Sequence, residues 1–421
     1  MTEHILDELA WRGLVAQTTG LDELRTHLDH GPVTLYCGFD PTAPSLHHGH
    51  LVQLVVLRHL QRAGHRVLPL IGGATGMIGD PRMSGERVLN TKETVAENVE
   101  RLRSQISRFL DFDGDNPAQM VNNLDWTGEL TAIDLLREVG KHFRLGTMLA
   151  KDTVARRLNS DEGISFTEFS YQVLQGHDFL QLNRRYGCTL QTGGNDQWGN
   201  LLSGVELTRK ADGVQVHAMT TPLITKADGT KFGKSEGGAV WLAPDLMSPY
   251  AFYQFWLNTE DADVARFLKI FTFLEREEIE RLERAVADEP FRREGQRTLA
   301  WEVTSLVHGA DATDAVVRAS QAIFGRGELA GLDETTLRGC ADALGAVEVS
   351  TDTSVVDALA EAGIVGSKSE ARRAVQEGGA YVNNAKVTSI EARVGEHPPL
   401  AGGWYVLRRG KKSVGLAHVQ A

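Results

Sequence analysis

The sequence predicts an α/β protein with a parallel-sheet domain first, an α-helical domain next and a small α+β domain at the C-terminus. Three observations carry this. From Val33 onwards, β-branched and apolar runs alternate with helix-length patterns, the signature of a sheet built from crossover units. From Pro249 to about Gly325 the strands give way to charged helical stretches such as Glu275-Arg276-Glu277-Glu278-Ile279-Glu280-Arg281. From Asp352 two short helical patterns (Val355 to Ala362, Ser369 to Gln376) precede a turn and strand at Gly378 to Asn384. A chain of 421 residues exceeds one typical domain. The boundaries fall at 1–247, 248–330 and 352–421, with 331–351 as a linker.

Composition narrows the setting. Hydrophobic residues at 42% and charged residues at 24% are ordinary for a soluble globular protein. The net charge of −12 confines any nucleic-acid contact to a local basic patch. Cys37, Cys188 and Cys340 are odd in number and widely spaced, which fits neither a disulfide framework nor a zinc site and suits a reducing cytoplasm. The N-terminus lacks the basic and apolar regions of a signal peptide, and no uncharged run is long enough to cross a bilayer. A soluble, intracellular protein is expected, without membrane or DNA partners.

In chain order, residues 1 to about 30 read as helical, with Leu6, Leu9, Leu14, Leu21, Leu24 and Leu28 as an apolar stripe. Val33 to Phe39 reads as a buried strand, broken at Pro41 and Pro44. Leu51 to Gln61 is a buried helix closed by Gly64, and His65 to Ile71 a second strand. This strand–helix–strand unit places His47, Gly49 and His50 at a helix N-terminus beyond the C-terminal end of a strand. Unpaired N–H groups and the helix dipole favour anions there, Gly49 lets a nucleotide approach the backbone, and two imidazoles supply donors.

The glycine-rich turn Ile71 to Pro81 implies close approach by a ligand, with Asp80 able to hold an ammonium group. Asn90-Thr91-Lys92-Glu93 opens a helix to about Leu110, Gln119 to Asn123 reads as a strand, and Leu130 to Val139 as a short helix. Ser165-Phe166-Thr167-Glu168 is a capping box for a helix ended by Gly187; on it Tyr171, Gln175 and Asp178 share one face. A polar face on a largely apolar helix must find hydrogen-bonding partners. Cys188 to Asn200 again reads strand, glycine turn, helix, and Asp196 or Gln197 suits a ribose hydroxyl. Pro222 to Ser235 is a lysine-bearing loop. In the tail, Lys368, Arg372, Arg373, Lys386, Arg408, Arg409, Lys411 and Lys412 form a basic contrast to an acidic chain, which points to a phosphate backbone.

His47-His48-Gly49-His50 and Lys231-Phe232-Gly233-Lys234-Ser235 resemble, in order, the two signatures of class I aminoacyl-tRNA synthetases. Tyr36 to Thr42, Gly79-Asp80-Pro81, the Tyr171/Gln175/Asp178 face and Gly193 to Asn200 resemble the bacterial tyrosyl-tRNA synthetases over essentially the whole chain. The resemblance implies a Rossmann-like parallel-sheet catalytic domain, an α-helical anticodon-side domain and a C-terminal RNA-binding domain similar to one in a small-subunit ribosomal protein. It implies that Tyr36 and Asp178 bond the phenol of tyrosine and that Asp80, Tyr171 and Gln175 hold its ammonium group. Cys37, Gly194, Asp196 and Gln197 would surround the ribose, with Asp40 near the aminoacyl end. Thr42, His47, His50, Lys231 and Lys234 would contact the ATP phosphates. Tyrosine, ATP with Mg²⁺ on its phosphates, and tRNA(Tyr) are the implied substrates, and a homodimer the implied assembly. The basic residues Lys368, Arg372, Arg373, Arg408 and Arg409 would meet the tRNA; no metal-ligating residues are expected.

The implied chemistry suits these residue types. The tyrosine carboxylate, already an anion, attacks the α-phosphorus without a general base, so catalysis is positioning plus neutralisation of phosphate charge. A tryptophanyl enzyme shares the signatures, but Tyr36, Asp178 and the basic tail argue against it. A nucleotidyltransferase would not need the later domains, and an inactive RNA-binding adaptor would not need intact His47, His50, Lys231 and Lys234. Three departures stand out. Phe232-Gly233 replace the Met-Ser of the generic second signature, a variant that resembles the bacterial tyrosyl enzymes. His48 occupies a usually apolar position and, facing away from the site, is expected to matter little. In Asp80 to Arg87, either Arg82 or Arg87 stands in for a lysine found in many relatives.

Overall fold

A computed structural model describes residues 4–82, 85–230, 232–235 and 238–419, with only the backbone of 152, 234 and 235. The chain divides into two compact units: Met1–Leu242 with Ala262–Arg284, and Ala243–Asp261 with Ala285–Ala421.

The first unit is built on six strands: β1 (Gln17–Thr18), β2 (Thr34–Phe39), β3 (Arg66–Ile71), β4 (Val121–Asn122), β5 (Cys188–Gly194) and β6 (His217–Thr221). Their order is β1-β6-β5-β2-β3-β4, all neighbours parallel except β1 against β6. Leu35, Tyr36, Cys37 and Phe39 of β2 are all buried, as a parallel strand covered on both faces requires. From β2 the chain crosses through the helix His48–Arg62 to β3, then returns on the other side of β2 as β5. The order therefore reverses between β2 and β5, and a crevice opens beyond their C-terminal ends. The helix Phe166–Tyr186 starts at Ser165, whose hydroxyl accepts the Glu168 N–H, and stops at Gly187, left-handed at φ 65°.

The first thirty residues differ from the expected helical run. Helices Ile5–Trp11 and Leu21–Asp29 flank the strand β1, because Gly13 and Gly20 adopt positive φ and Gln17–Thr18 pairs with the sheet edge at β6. The leucine stripe survives this break: Leu6, Leu9, Leu14, Leu24 and Leu28 are buried, while Leu21 is half exposed.

The second unit combines the helices Pro249–Leu257, Glu294–His308, Ala310–Ile323 and Glu334–Leu344 with a five-stranded sheet. The sheet order is Ala385–Lys386, Ala380–Val382, Trp404–Arg409, Ser413–His418, Ala346–Glu348. Helices Val355–Glu361 and Lys368–Gln376 share its core through Val355, Leu359, Val375, Tyr405 and Leu407.

Two domain boundaries are corrected by these contacts. Residues 331–351 are no linker: Asp333 caps Glu334–Leu344, Leu337 and Cys340 are fully buried, and Ala346–Glu348 pairs in parallel with Ser413–His418. The stretch 248–330 is also not one helical domain, since Ala262–Arg284 belongs to the first unit. There Lys269, Thr272 and Leu274 give their carbonyls to the buried Arg12 guanidinium.

Candidate active site

At the crevice, helix His48–Arg62 begins with an unusual cap. The Nδ1 of His47 accepts the Gly49 N–H at 3.1 Å, and the Nδ1 of His50 accepts the His47 N–H at 3.2 Å. With Nδ1 used as an acceptor, each neutral ring carries its proton on Nε2. Burial holds the pKa of both below the usual histidine value, that of His50 far below. The pair is thus a set of neutral N–H donors at a helix N-terminus. Gly49 is needed for a local reason: a Cβ there would meet the His47 Cε1 at 3.0 Å.

Deeper in the crevice lie three carboxylates, Asp178 buried and Asp40 and Asp80 partly so. Asp178 accepts the Trp126 indole N–H at 2.8 Å and the Asn123 amide at 3.0 Å. Both donors are neutral, so burial dominates and pushes its pKa up to about 7. The Tyr36 hydroxyl, also fully buried, has no hydrogen-bond partner among the described residues. Asp40, at the end of β2, accepts from Thr75 at 2.6 Å and Tyr171 at 2.7 Å, with its pKa raised by burial to about 6. Asp80 accepts the amides of Gln197 at 2.9 Å and Asn200 at 3.0 Å; burial raises its pKa as well. The buried Gln175 Oε1 has no partner among the described residues.

One cavity of about 910 Å³ gathers Tyr36, Cys37, Asp40, Thr42, His47, Gly49, His50, Asp80, Tyr171, Gln175, Asp178, Gly194, Asp196 and Gln197. Gln197, expected at a ribose, here bonds Asp80. The Cys37 thiol is buried and raised to about 12, so it presents a neutral S–H. Lys231 lies outside the described residues, and Lys234 opens the short strand Lys234–Ser235, of which only the backbone is described. Sequence reading missed Asn123, Trp126, Thr75 and Asn200, which orient the three carboxylates. The one available signal was an asparagine at the C-terminal end of a parallel strand.

Arg82 and Arg87 both line the cavity, but Arg87 is the anchored one. Its Nε donates to the Asp80 carbonyl at 2.6 Å, and its backbone N–H to Glu168 at 3.0 Å. Glu168 forms a fully buried ion pair with Arg157 at 2.9 Å, and Arg157 also donates to the carbonyls of Arg82, Gly85 and Gly163.

His48 corrects an expectation. Its ring does not face away from the machinery but packs against the lysine-bearing loop, edge to face with Phe232 at 5.3 Å and directly over Gly233. The second unit corrects another. Arg408 is buried, stacked 4.1 Å over the Tyr381 ring and donating to the Gly410 carbonyl, so it faces no external partner. Lys368 pairs with Asp357 at 2.7 Å and Arg409 with Glu370, whereas Arg372, Arg373, Lys386, Lys411 and Lys412 are exposed.

Residues 28–325 match the family model of tRNA synthetases class I (W and Y), and residues 337–417 that of the tyrosine–tRNA ligase SYY-like C-terminal domain. The chain is 61% identical to a tyrosine–tRNA ligase of Streptomyces coelicolor over 416 residues, 99% of each chain. It is 55% identical to one of Corynebacterium glutamicum, over 97% of this chain and 98% of that one. The crystal structure of a C-terminally truncated Aspergillus nidulans mitochondrial tyrosyl-tRNA synthetase superposes with a TM-score of 0.69 at 32% identity, covering 76% of this chain and 94% of that chain. A tryptophanyl-tRNA synthetase from Encephalitozoon cuniculi shares the fold at 15% identity and a TM-score of 0.54, covering 73% and 87%.

Proposed function

The chain belongs to the class I tRNA synthetases of the tyrosyl kind, and from that premise we propose how its cavity divides between tyrosine and ATP. Its reaction is the ATP-dependent attachment of tyrosine to tRNA(Tyr): L-tyrosine and ATP give tyrosyl-adenylate and pyrophosphate, and the terminal ribose of the tRNA then takes the tyrosyl group.

The phenol goes to Tyr36 and Asp178. The observation that carries this is a buried Tyr36 hydroxyl without a partner, in the same cavity as a carboxylate fixed by Trp126 and Asn123. A site built to bond a hydroxyl rejects phenylalanine because its own polar groups would stay unpaired, a rule for which tyrosyl enzymes are the standard illustration. The ammonium group goes to three oxygens: Asp80, the unpaired Gln175 Oε1 and the Tyr171 hydroxyl, which Asp40 orients. Gly194, Asp196 and Cys37 flank the ribose, and Gln197 acts by orienting Asp80.

On this assignment the tyrosine carboxylate attacks the α-phosphorus and pyrophosphate leaves. His47 and His50 donate from Nε2 to the phosphates, joined by Thr42, Lys231 and Lys234. Neutral rings suit this role, since a donor at the helix N-terminus needs no charge of its own. The Mg²⁺ that accompanies ATP neutralises pyrophosphate charge. Arg87, rather than Arg82, takes the position of the lysine found in many relatives, because it alone is anchored beside Asp80. In the second step the tRNA hydroxyl attacks the carbonyl of the mixed anhydride and AMP leaves.

The assembly is a homodimer. Ile133, Leu136, Leu145 and Phe166 are each more than 60% exposed in one stretch of the first unit, an apolar surface that a second copy would cover. Three free, buried cysteines fit residence in a reducing cytoplasm. The test is tyrosine-dependent exchange of labelled pyrophosphate into ATP, without tRNA, for the wild type and Tyr36→Phe. Exchange with tyrosine alone, and a narrowed preference over phenylalanine in the variant, is the expected result. An unchanged preference would remove Tyr36 from the phenol site.

A further inference from the structure

The two places where this chain departs from the generic class I signatures meet in space. His48 stands between His47 and Gly49, and its backbone N–H donates to the Val240 carbonyl at 3.0 Å, just past the lysine-bearing loop. Its ring stands perpendicular to Phe232, centroids 5.3 Å apart. Phe232 is itself buried, its ring 4.4 Å from that of Phe267. Gly233 sits flat on the imidazole: a Cβ on it would fall 1.8 Å from Cε1 and 2.1 Å from Nε2. With φ at +86°, Gly233 also occupies the left-handed region. Phe232 and Gly233 are the chain neighbours of Lys231 and Lys234.

We propose that His48 is a positioning residue for ATP: its ring is the seat on which Phe232–Gly233 rests, fixing the lysine-bearing backbone against the helix turn that carries His47 and His50. This rests on the assignment of His47, His50 and the two lysines to the phosphates. It adds that the donors of the first motif and the backbone of the second are aligned through one side chain, that of His48, at the cavity wall. Such coupling matters because misplacement of a phosphate-neutralising group by about 1 Å can cost about a hundredfold in rate.

The test is stopped-flow formation of tyrosyl-adenylate with MgATP, alongside equilibrium tyrosine binding. His48→Ala is expected to lower the ATP-dependent rate or raise the ATP KM by about tenfold or more, with the tyrosine Kd within about twofold of wild type. His48→Phe, which keeps a flat ring over Gly233, should recover most of that loss. Gly233→Ala should be damaging alone, and the loss in Gly233→Ala/His48→Ala should be smaller than the product of the two single losses, because the clash is gone. Unchanged ATP kinetics in His48→Ala overturns the proposal. So does an equal loss of tyrosine affinity, which would mark a general structural role, or a strictly multiplicative double variant. Absence of tyrosine-dependent exchange in the wild type would instead overturn the functional reading on which it rests.

Discussion

Among the described residues Asp178 is held by two neutral donors and no cation, and that choice has consequences on both sides of the pH scale. With its pKa near 7 and that of Asp40 near 6, burial being the first cause for each, both carboxyls gain protons within reach of neutrality. Bonding a phenol through Asp178 requires the carboxylate, so kcat/KM for tyrosine, which reports the free enzyme, should fall as pH drops through about 7. A pyrophosphate-exchange profile from pH 5.5 to 8.5, roughly, is the check; a flat profile would contradict an ionised Asp178 as the acceptor. Stability runs the other way. Unfolded, both groups titrate near 3.8; folded, they keep their protons to higher pH. Between those values the native chain binds more protons than the unfolded one, so stability falls as pH rises, and the cost is complete above about 7. Asp178→Asn cannot ionise, so the wild type should lose up to about 4 kcal/mol relative to it between pH 4 and 8 in denaturant titrations, because each pH unit separating folded from unfolded titration is worth about 1.4 kcal/mol. Tyr36→Phe, removing a buried hydroxyl with no partner among the described residues, should leave stability within about 1 kcal/mol while narrowing selectivity against phenylalanine.

At the scale of elements, a buried ion pair holds the described residues of the Asp80–Arg87 segment. Arg157 and Glu168 are 2% and 1% exposed, and between them they bond the backbone of Arg82, Gly85 and Arg87. Removing one partner strands the other, so Arg157→Ala should cost about 3–5 kcal/mol in urea titrations and expose the segment to trypsin. Arg87→Ala keeps the pair; it should slow adenylate formation with little change in tyrosine affinity, and unchanged single-turnover kinetics would remove Arg87 from the mechanism. Elements that announce their own ends were legible in the sequence. The Ser165 hydroxyl, Thr91 before Lys92 and the left-handed Gly187 act within a turn of themselves, so three or four residues suffice to read them; the Glu168 carboxylate, expected to close the Ser165 box, bonds Arg87 and Arg157 instead. The cavity residues brought by β2, by the first helix turn and by the Tyr171–Asp178 face were legible for the same reason, through motif and periodicity. What orients them was not. Asn123 and Trp126 reach Asp178 from 55 and 52 residues away, and nothing local marks them as its partners. His48 was misjudged likewise, because its neighbour Gly233 lies on a distant loop. The strand Ala346–Glu348 is only three residues long and is defined by a partner at the far end of the chain, so it read as linker.

For the whole molecule the governing quantity is charge. A chain carrying −12 overall must bring a polyanion to a surface that opposes that sign. Much of the basic tail is already committed within its own unit: Lys368 to Asp357, Arg409 to Glu370, and Arg408 to the face of Tyr381. Arg372 and Arg373 lie side by side and exposed on the helix Lys368–Gln376. Each phosphate that a variant no longer neutralises should flatten the dependence of log affinity on log salt by about 0.7–0.9. Arg372→Ala/Arg373→Ala should therefore weaken tRNA binding, reduce the salt slope by about 1.4–1.8 on that scale, and leave tyrosine-dependent pyrophosphate exchange intact. Arg408→Ala makes the opposite forecast, with lowered thermal stability and an unchanged salt slope, because Arg408 is buried and stacked on the Tyr381 ring. Filter binding of tRNA at four or five salt concentrations separates the two. A slope that moves with Arg408 and not with Arg372 and Arg373 would place the RNA on a different face of this unit.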